Sequence, residues 1–244
     1  MLEKAGFIKL NERNKWKIEQ GGKYYVTRND SSIIAFQVPD NMDFYNFQIA
    51  AAHSDSPAFK IKENPEMVED NNYVTLNVEK YGGMLMAPWF DRPLSVAGRV
   101  IVREDSGLKP VLVNVDRDLC VIPNLAIHMN RDVNNGIKYN PQKDMIPLFG
   151  EIASKDKFEK IIAMEAGTDA DSIVSADLFL YNREVGKIWG ADNEFMSAPR
   201  LDDVMCAFSC IKALTDNKEN NESVNVCAIF DNEEVGSTTK QGAD

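Results

Sequence analysis

Apolar residues at Leu2, Ala5 and Ile8, with charged residues between them, predict a helix over residues 1–16. Strand-like stretches follow at 23–27, 32–38 and 46–52. The last of these, Asn-Phe-Gln-Ile-Ala-Ala-Ala, is apolar enough to predict a buried strand, and it runs straight into His53-Ser54-Asp55-Ser56-Pro57. From 59 to 115 the pattern changes to short β pieces, at 73–78, 98–102 and 111–115, broken by Tyr-Gly-Gly and Glu-Asp-Ser-Gly turns. A helix is predicted over 155–166, where Asp156 as N-cap and Glu159 three residues later form a capping box ahead of Phe158, Ile161, Ile162 and Met164. After a strand at 177–181, a second helix is expected over 203–214, with Val204, Phe208, Ile211 and Leu214 on one face. A buried strand at 224–230 then ends in Asp231-Asn232-Glu233-Glu234. The expected organisation is α/β, with chemistry-bearing residues at the carboxyl ends of buried strands and a β-rich piece between them.

The 244 residues, 44% apolar and 27% charged, suffice for one sizeable core or two smaller ones. Against 38 acidic residues stand 27 basic ones, a net charge of -11, which disfavours nucleic acid and anionic membrane surfaces as partners. No apolar run approaches the ~20 residues of a membrane span, and residues 1–20 do not form a signal-peptide core, so the expectation is a soluble, cytoplasmic protein. Four cysteines, at 120, 206, 210 and 227, form no CxxC pair and are read as reduced thiols. Histidine is scarce: only His53 and His128 occur.

Three constellations bear chemistry. His53 and Asp55, two apart at a strand end, fall on one face, where a carboxylate can hold one ring nitrogen and leave the other for a metal. Glu233 and Glu234 close the second apolar strand; adjacent carboxylates point apart, so one can bind a metal while the other serves as general base. Asp202 and Asp203 stand at the start of a predicted helix, one expected to cap it and the other to act elsewhere, since a carboxylate can bridge two cations.

HSDSP at 53–57, YGGMLMAPWFDRPLSVAGRVIV at 81–102, IPNLAIHMNRDVNNG at 122–136, SAPRLDD at 197–203 and FDNEEVGSTTKQGA at 230–243 resemble, in order, the motif series of the aspartyl and vacuolar aminopeptidase family, a branch of the dinuclear zinc exopeptidases. The resemblance spans essentially the whole chain. It implies a zinc-exopeptidase-like α/β/α peptidase domain from 1–62 and 189–244, interrupted by a β-rich dimerisation domain at 63–188. It implies a metallo-aminopeptidase that removes the amino-terminal residue of a peptide through water activated between two Zn²⁺ per subunit, with cobalt as an alternative metal. By the same resemblance His53 is a ligand of one zinc, Glu234 of the other, and Asp202 bridges them. Asp55 orients His53, Glu233 is the general base, and His128 reaches a neighbouring subunit's substrate site in a dimer-based homo-oligomer, a dodecamer among the implied assemblies.

Departures from the family pattern are Asp203, where Asn is frequent, and Lys240 in the final motif. Family chains are also longer and supply a further Asp and a further His ligand, so residues 1–244 are expected to be inactive alone, with the strand at 224–230 short of neighbours. Two rival readings stand beside this one: a truncated, non-catalytic assembly paralogue, and a related di-metal deacylase that shares the same His and Glu logic.

Overall fold

The computed structural model describes residues 1–41, 46–217 and 222–243. In chain order the strands are β1 (Ile8–Lys9), β2 (Lys23–Arg28), β3 (Ser32–Gln37), β4 (Asn46–His53), β5 (Ala58–Glu69), β6 (Tyr73–Tyr81) and β7 (Leu94–Glu104). They continue with β8 (Gly107–Asn114), β9 (Leu148–Glu151), β10 (Ile173–Asn182), β11 (Lys187–Trp189), β12 (Phe195–Ser197) and β13 (Ser223–Phe230). The α-helices are α1 (Phe158–Ala166) and α2 (Leu201–Asp216). The architecture is mixed α/β. Two compact units divide it: Met1–Ser56 with Lys187–Asp244, and Pro57–Gly186. Among the described residues no helix is long and apolar enough to cross a membrane.

The first unit carries a five-stranded sheet in the order β1-β2-β3-β13-β4. β13 lies antiparallel to β3 and parallel to β4, in a register that sets Phe230 beside His53. Ala35, Ala52, Cys227 and Ile229 form its core with Leu2, Phe7 and Tyr25, covered by Ala207 and Leu214 of α2.

Four expectations change here. The helix predicted over 1–16 is a single turn, Glu3–Ala5, closed by Gly6 at φ 85° and followed by β1, which pairs with β2. Leu2 and Phe7 both turn into the core from either side of that turn, and so short an amphipathic stretch gains more from sheet pairing than from a costly helical nucleus. β4 is mostly exposed: as the edge strand among the described residues it buries Ala52 but leaves Phe47 60% and Ile49 66% exposed, whereas β13, expected to be short of neighbours, has one on each side. On α2 the inward stripe is Ala207, Cys210, Ile211 and Leu214, spaced i, i+3, i+4, i+7; Val204 and Phe208 face outward.

The second unit is built on the sheet β8-β7-β10-β5-β6-β9, with every strand pair antiparallel. Alternate residues of β5, β6, β7 and β10, including Phe59, Leu76, Val96, Val100 and Leu180, pack with Phe158 and Ile162 of α1. Gly98 is demanded by the close approach of β7 to β10, since a Cβ there would lie 2.1 Å from the carbonyl oxygen of Asp177. The capping box expected at Asp156 does not form. Asp156 has φ 60°, and the Glu66 carboxylate of β5 instead accepts the backbone N–H groups of Asp156, Lys157 and Phe158 at 2.7, 3.0 and 2.8 Å. A long-range carboxylate displaces the local cap because it satisfies three free donors at once.

Candidate metal centre

Two strand ends and one helix start build this centre. Because β4 and β13 are parallel neighbours in matched register, their carboxyl ends emerge side by side, one leading into His53 and the other into Glu233-Glu234. Asn232, in left-handed conformation at φ 61°, starts the single turn Glu233–Val235 immediately after β13. The Ser54 backbone N–H donates to the Phe230 carbonyl at 2.9 Å, extending the pairing one step past the strand ends. From α2 come Asp202 and Asp203, joined by a cis peptide bond and outside helical dihedral angles.

Asp55 ties these pieces together. β4 stops at His53, so the shared strand face expected for His53 and Asp55 gives way to a bend, yet the pairing forms. The His53 ring meets Asp55 through Nδ1, 3.0 Å from its carbonyl oxygen and 3.3 Å from Oδ1. The same carboxylate accepts the backbone N–H groups of Glu233 at 3.2 Å and Glu234 at 3.1 Å. One buried acidic group thus fixes both the imidazole and the acidic turn.

With Nδ1 engaged, Nε2 of His53 points at carboxylates: 3.5 Å from Asp202 Oδ1, 3.7 Å from Glu233 Oε2 and 3.9 Å from Asp203 Oδ2. Two sets, His53 with Glu233 and Glu234, and His53 with Asp202 and Asp203, each bring their ligand atoms within 4.8 Å of one another. Ligands on a tetrahedral zinc with bonds near 2.0–2.1 Å lie about 3.3–3.5 Å apart, so small inward shifts suffice to hold a cation. Imidazole with several carboxylates is moreover a donor set that zinc accepts.

The electrostatics point the same way. Partial burial lowers the His53 pKa, but the charges of Asp55, Glu233 and Asp203 outweigh it and the net direction is upward. Glu234 is also raised, first by burial and then by repulsion from Glu233, with Asp55 and Asp202 adding to it and His53 opposing. A carboxylate such as Glu234, whose ionised form is disfavoured by burial and then by a neighbouring carboxylate, stands where a cation is welcome.

Of the six site residues expected from the sequence, His53, Asp55, Asp202, Glu233 and Glu234 meet in the first unit. His128 belongs to the second unit, where it sits exposed on a turn. Two further residues engage the cluster without having been assigned a part in it: Asp203, whose Oδ2 accepts the His53 backbone N–H at 3.1 Å, and Ser56, whose hydroxyl donates to the Asp202 carbonyl at 3.0 Å. The position of Asp203 three residues before Cys206 is an N-capping signal.

A cluster of imidazole and carboxylates at the carboxyl ends of neighbouring parallel strands is an arrangement of the α/β kind that could hold a metal. The family whose model matches residues 1–244 is described as "Aminopeptidase I zinc metalloprotease (M18)", and the chain belongs to it. A protein of Clostridium acetobutylicum named "Probable M18 family aminopeptidase 2" is 52% identical over 252 residues, covering 100% of this chain and 58% of its own. One of the same name from Pseudomonas syringae pv. tomato is 39% identical, again with 58% of its own length covered. The chain therefore spans less than two thirds of the curated relatives it matches. Among solved structures, Chaetomium thermophilum mApe1 superposes with a TM-score of 0.90 at 34% identity, over 99% of this chain and 59% of that one. A cryo-EM structure of the Ape4 and Nbr1 complex reaches 0.92 at 36% identity, over 98% of this chain and 51% of that one.

Proposed function

We propose that the protein containing this sequence is an aminopeptidase that hydrolyses the amino-terminal residue from peptides at a dinuclear zinc centre. The observation that carries this reading is the convergence of His53, Asp202, Glu233 and Glu234 around strand ends locked by Asp55, within a chain of a zinc metalloprotease family. In it, His53 and Asp202 hold one zinc, and Glu234 and Asp202 the other. Zinc bound there supplies the positive charge that polarises a peptide carbonyl and lowers the pKa of water. Asp55 keeps the proton of the neutral imidazole on Nδ1, leaving the Nε2 lone pair for the metal. Glu233, more exposed than its neighbour, takes the proton of the attacking water and returns it to the departing amine.

Residues 1–62 and 189–244 belong in this reading to the peptidase domain, and 63–188 to an inserted dimerisation domain. The change of compact unit at 56/57 and 186/187 supports that division. The assembly is a homo-oligomer, for which the relative described as the S. cerevisiae mApe1 dodecamer is a precedent, and His128 serves a neighbouring subunit's substrate site.

The test uses the full-length protein. Glu233→Gln retains zinc and loses about 10²–10⁴ in turnover, while Glu234→Gln loses zinc; metal analysis beside kinetics on aminoacyl substrates reads both. Zinc lost from the first variant and kept by the second would exchange the two roles. A wild type that binds no zinc and cleaves nothing would end the proposal.

A further inference from the structure

Two adjacent carboxylates enter the centre from the start of α2, and their surroundings differ sharply. Asp202 is 87% exposed at its side chain, and its Oδ1 is 3.5 Å from His53 Nε2. Asp203 is 15% exposed and 3.9 Å from the same nitrogen. Its carboxylate is already engaged: Oδ2 accepts the His53 backbone N–H at 3.1 Å.

That bond joins two elements far apart in sequence. His53 ends β4, which among the described residues is an edge strand with one strand neighbour, β13, to hold its tip. Cys206 stands in the first regular turn of α2, whose helical dihedral angles begin after Asp203. Asp203, at an N-capping position for the regular part of α2, therefore clamps the backbone of the residue that carries the imidazole to the start of that helix. The ring itself is oriented by Asp55; the backbone from which it projects is held by Asp203.

We infer that Asp203 is a positioning residue and not a metal ligand: its carboxylate fixes the His53 backbone against the start of α2, and so sets the affinity of the His53 site for a divalent cation. This rests on the metal-centre reading above. The oxygen that accepts the His53 N–H is what matters, and the negative charge is not required for it. Asparagine keeps that oxygen. Serine keeps a capping oxygen for α2 but is one bond shorter and cannot span to His53.

The experiment measures zinc affinity in the full-length protein by competition with a chromophoric chelator, and thermal unfolding of the metal-free protein, for wild type, Asp203→Asn and Asp203→Ser. The expected result is wild-type-like affinity for Asp203→Asn, within about threefold, and a loss of about 10–100-fold for Asp203→Ser, the usual effect of removing a group that orients a ligand. Metal-free unfolding temperatures should stay close to wild type in both. Unchanged affinity in Asp203→Ser would reduce Asp203 to a helix cap and overturn the inference. A loss in Asp203→Asn as large as in Asp203→Ser would overturn it too, by showing that the charge binds the metal directly. If wild type itself took up no zinc, the metal-centre reading would fail first, and that outcome is distinct from the other two.

Discussion

In the six-stranded sheet, β7 encloses Leu94, Val96 and Val100 completely; in the five-stranded sheet, β4, with its comparable apolar run, leaves Phe47 and Ile49 more than half exposed. The contrast lies in the neighbours and not in the strands. β7 runs between β8 and β10, and its inward face meets a continuous core that includes α1. Among the described residues β4 pairs with β13 on one side only, and the core beneath it is smaller. An apolar strand sequence states a demand for cover, whereas sheet order decides whether the demand is met. The same contrast separates the elements by task, because the strand with the freer edge is the one whose tip delivers His53.

Mutations can break or sharpen this contrast. Phe59→Ala, in the enclosed core of the second unit, should cost about 3–5 kcal/mol in urea unfolding, the range for deleting a buried aromatic ring. A loss under about 1 kcal/mol would show that this core collapses around the gap and is no tighter than the other. Glu66→Ala, which removes the carboxylate shared by three N–H groups at the start of α1, should cost about 0.5–2 kcal/mol, with Glu66→Gln intermediate; unchanged stability would mean water replaces it without penalty. Ile49→Ala in the 244-residue chain should stay within about 0.5 kcal/mol, as for a surface change. The same substitution made in the full-length protein sharpens the point, since a larger cost there would reveal cover supplied by the rest of the molecule.

The smallest effect concerns thiols. Burial pushes Cys120 of the second unit up to about 12, and burial together with Cys210 pushes Cys227 of the first unit to about the same value. A raised thiol pKa keeps the group protonated below it, so at pH 8 only about one molecule in ten thousand carries either thiolate. Iodoacetamide at that pH should label exposed Cys206 and spare both buried thiols until the protein unfolds, as peptide mass mapping would read. Labelling of Cys227 but not Cys120 would place the weaker interior in the first unit.

Local pattern revealed much of this molecule. The strands at 23–27, 32–38, 46–52 and 224–230 appear as β2, β3, β4 and β13 within a residue or two, because period and β-branched content are local properties. The pairing of His53 with Asp55 and the acidic turn after β13 were equally legible, as they sit where apolar runs stop. What the sequence could not carry was anything set by a distant partner. The turn at Glu3–Ala5 gave up its helix to β2, the edge position of β4 follows from sheet order, and the start of α1 is determined by Glu66. Asp203 was visible as one of two acidic residues, but its bond to His53 crosses 150 positions.

The Glu66 bracket has a consequence for the order of folding. Helix α1 is only nine residues long, and a helix of that length is marginal by itself. Its missing local cap means that its strongest start signal comes from Glu66, 90 to 92 positions before the three N–H groups it accepts. Closing a loop of that size is an entropic cost met only once β5 has joined its sheet. α1 is thus a late-forming element, expected to be nearly unstructured as an excised peptide and to have low φ-values in refolding, so that weakening its cap speeds unfolding and leaves the folding rate almost untouched.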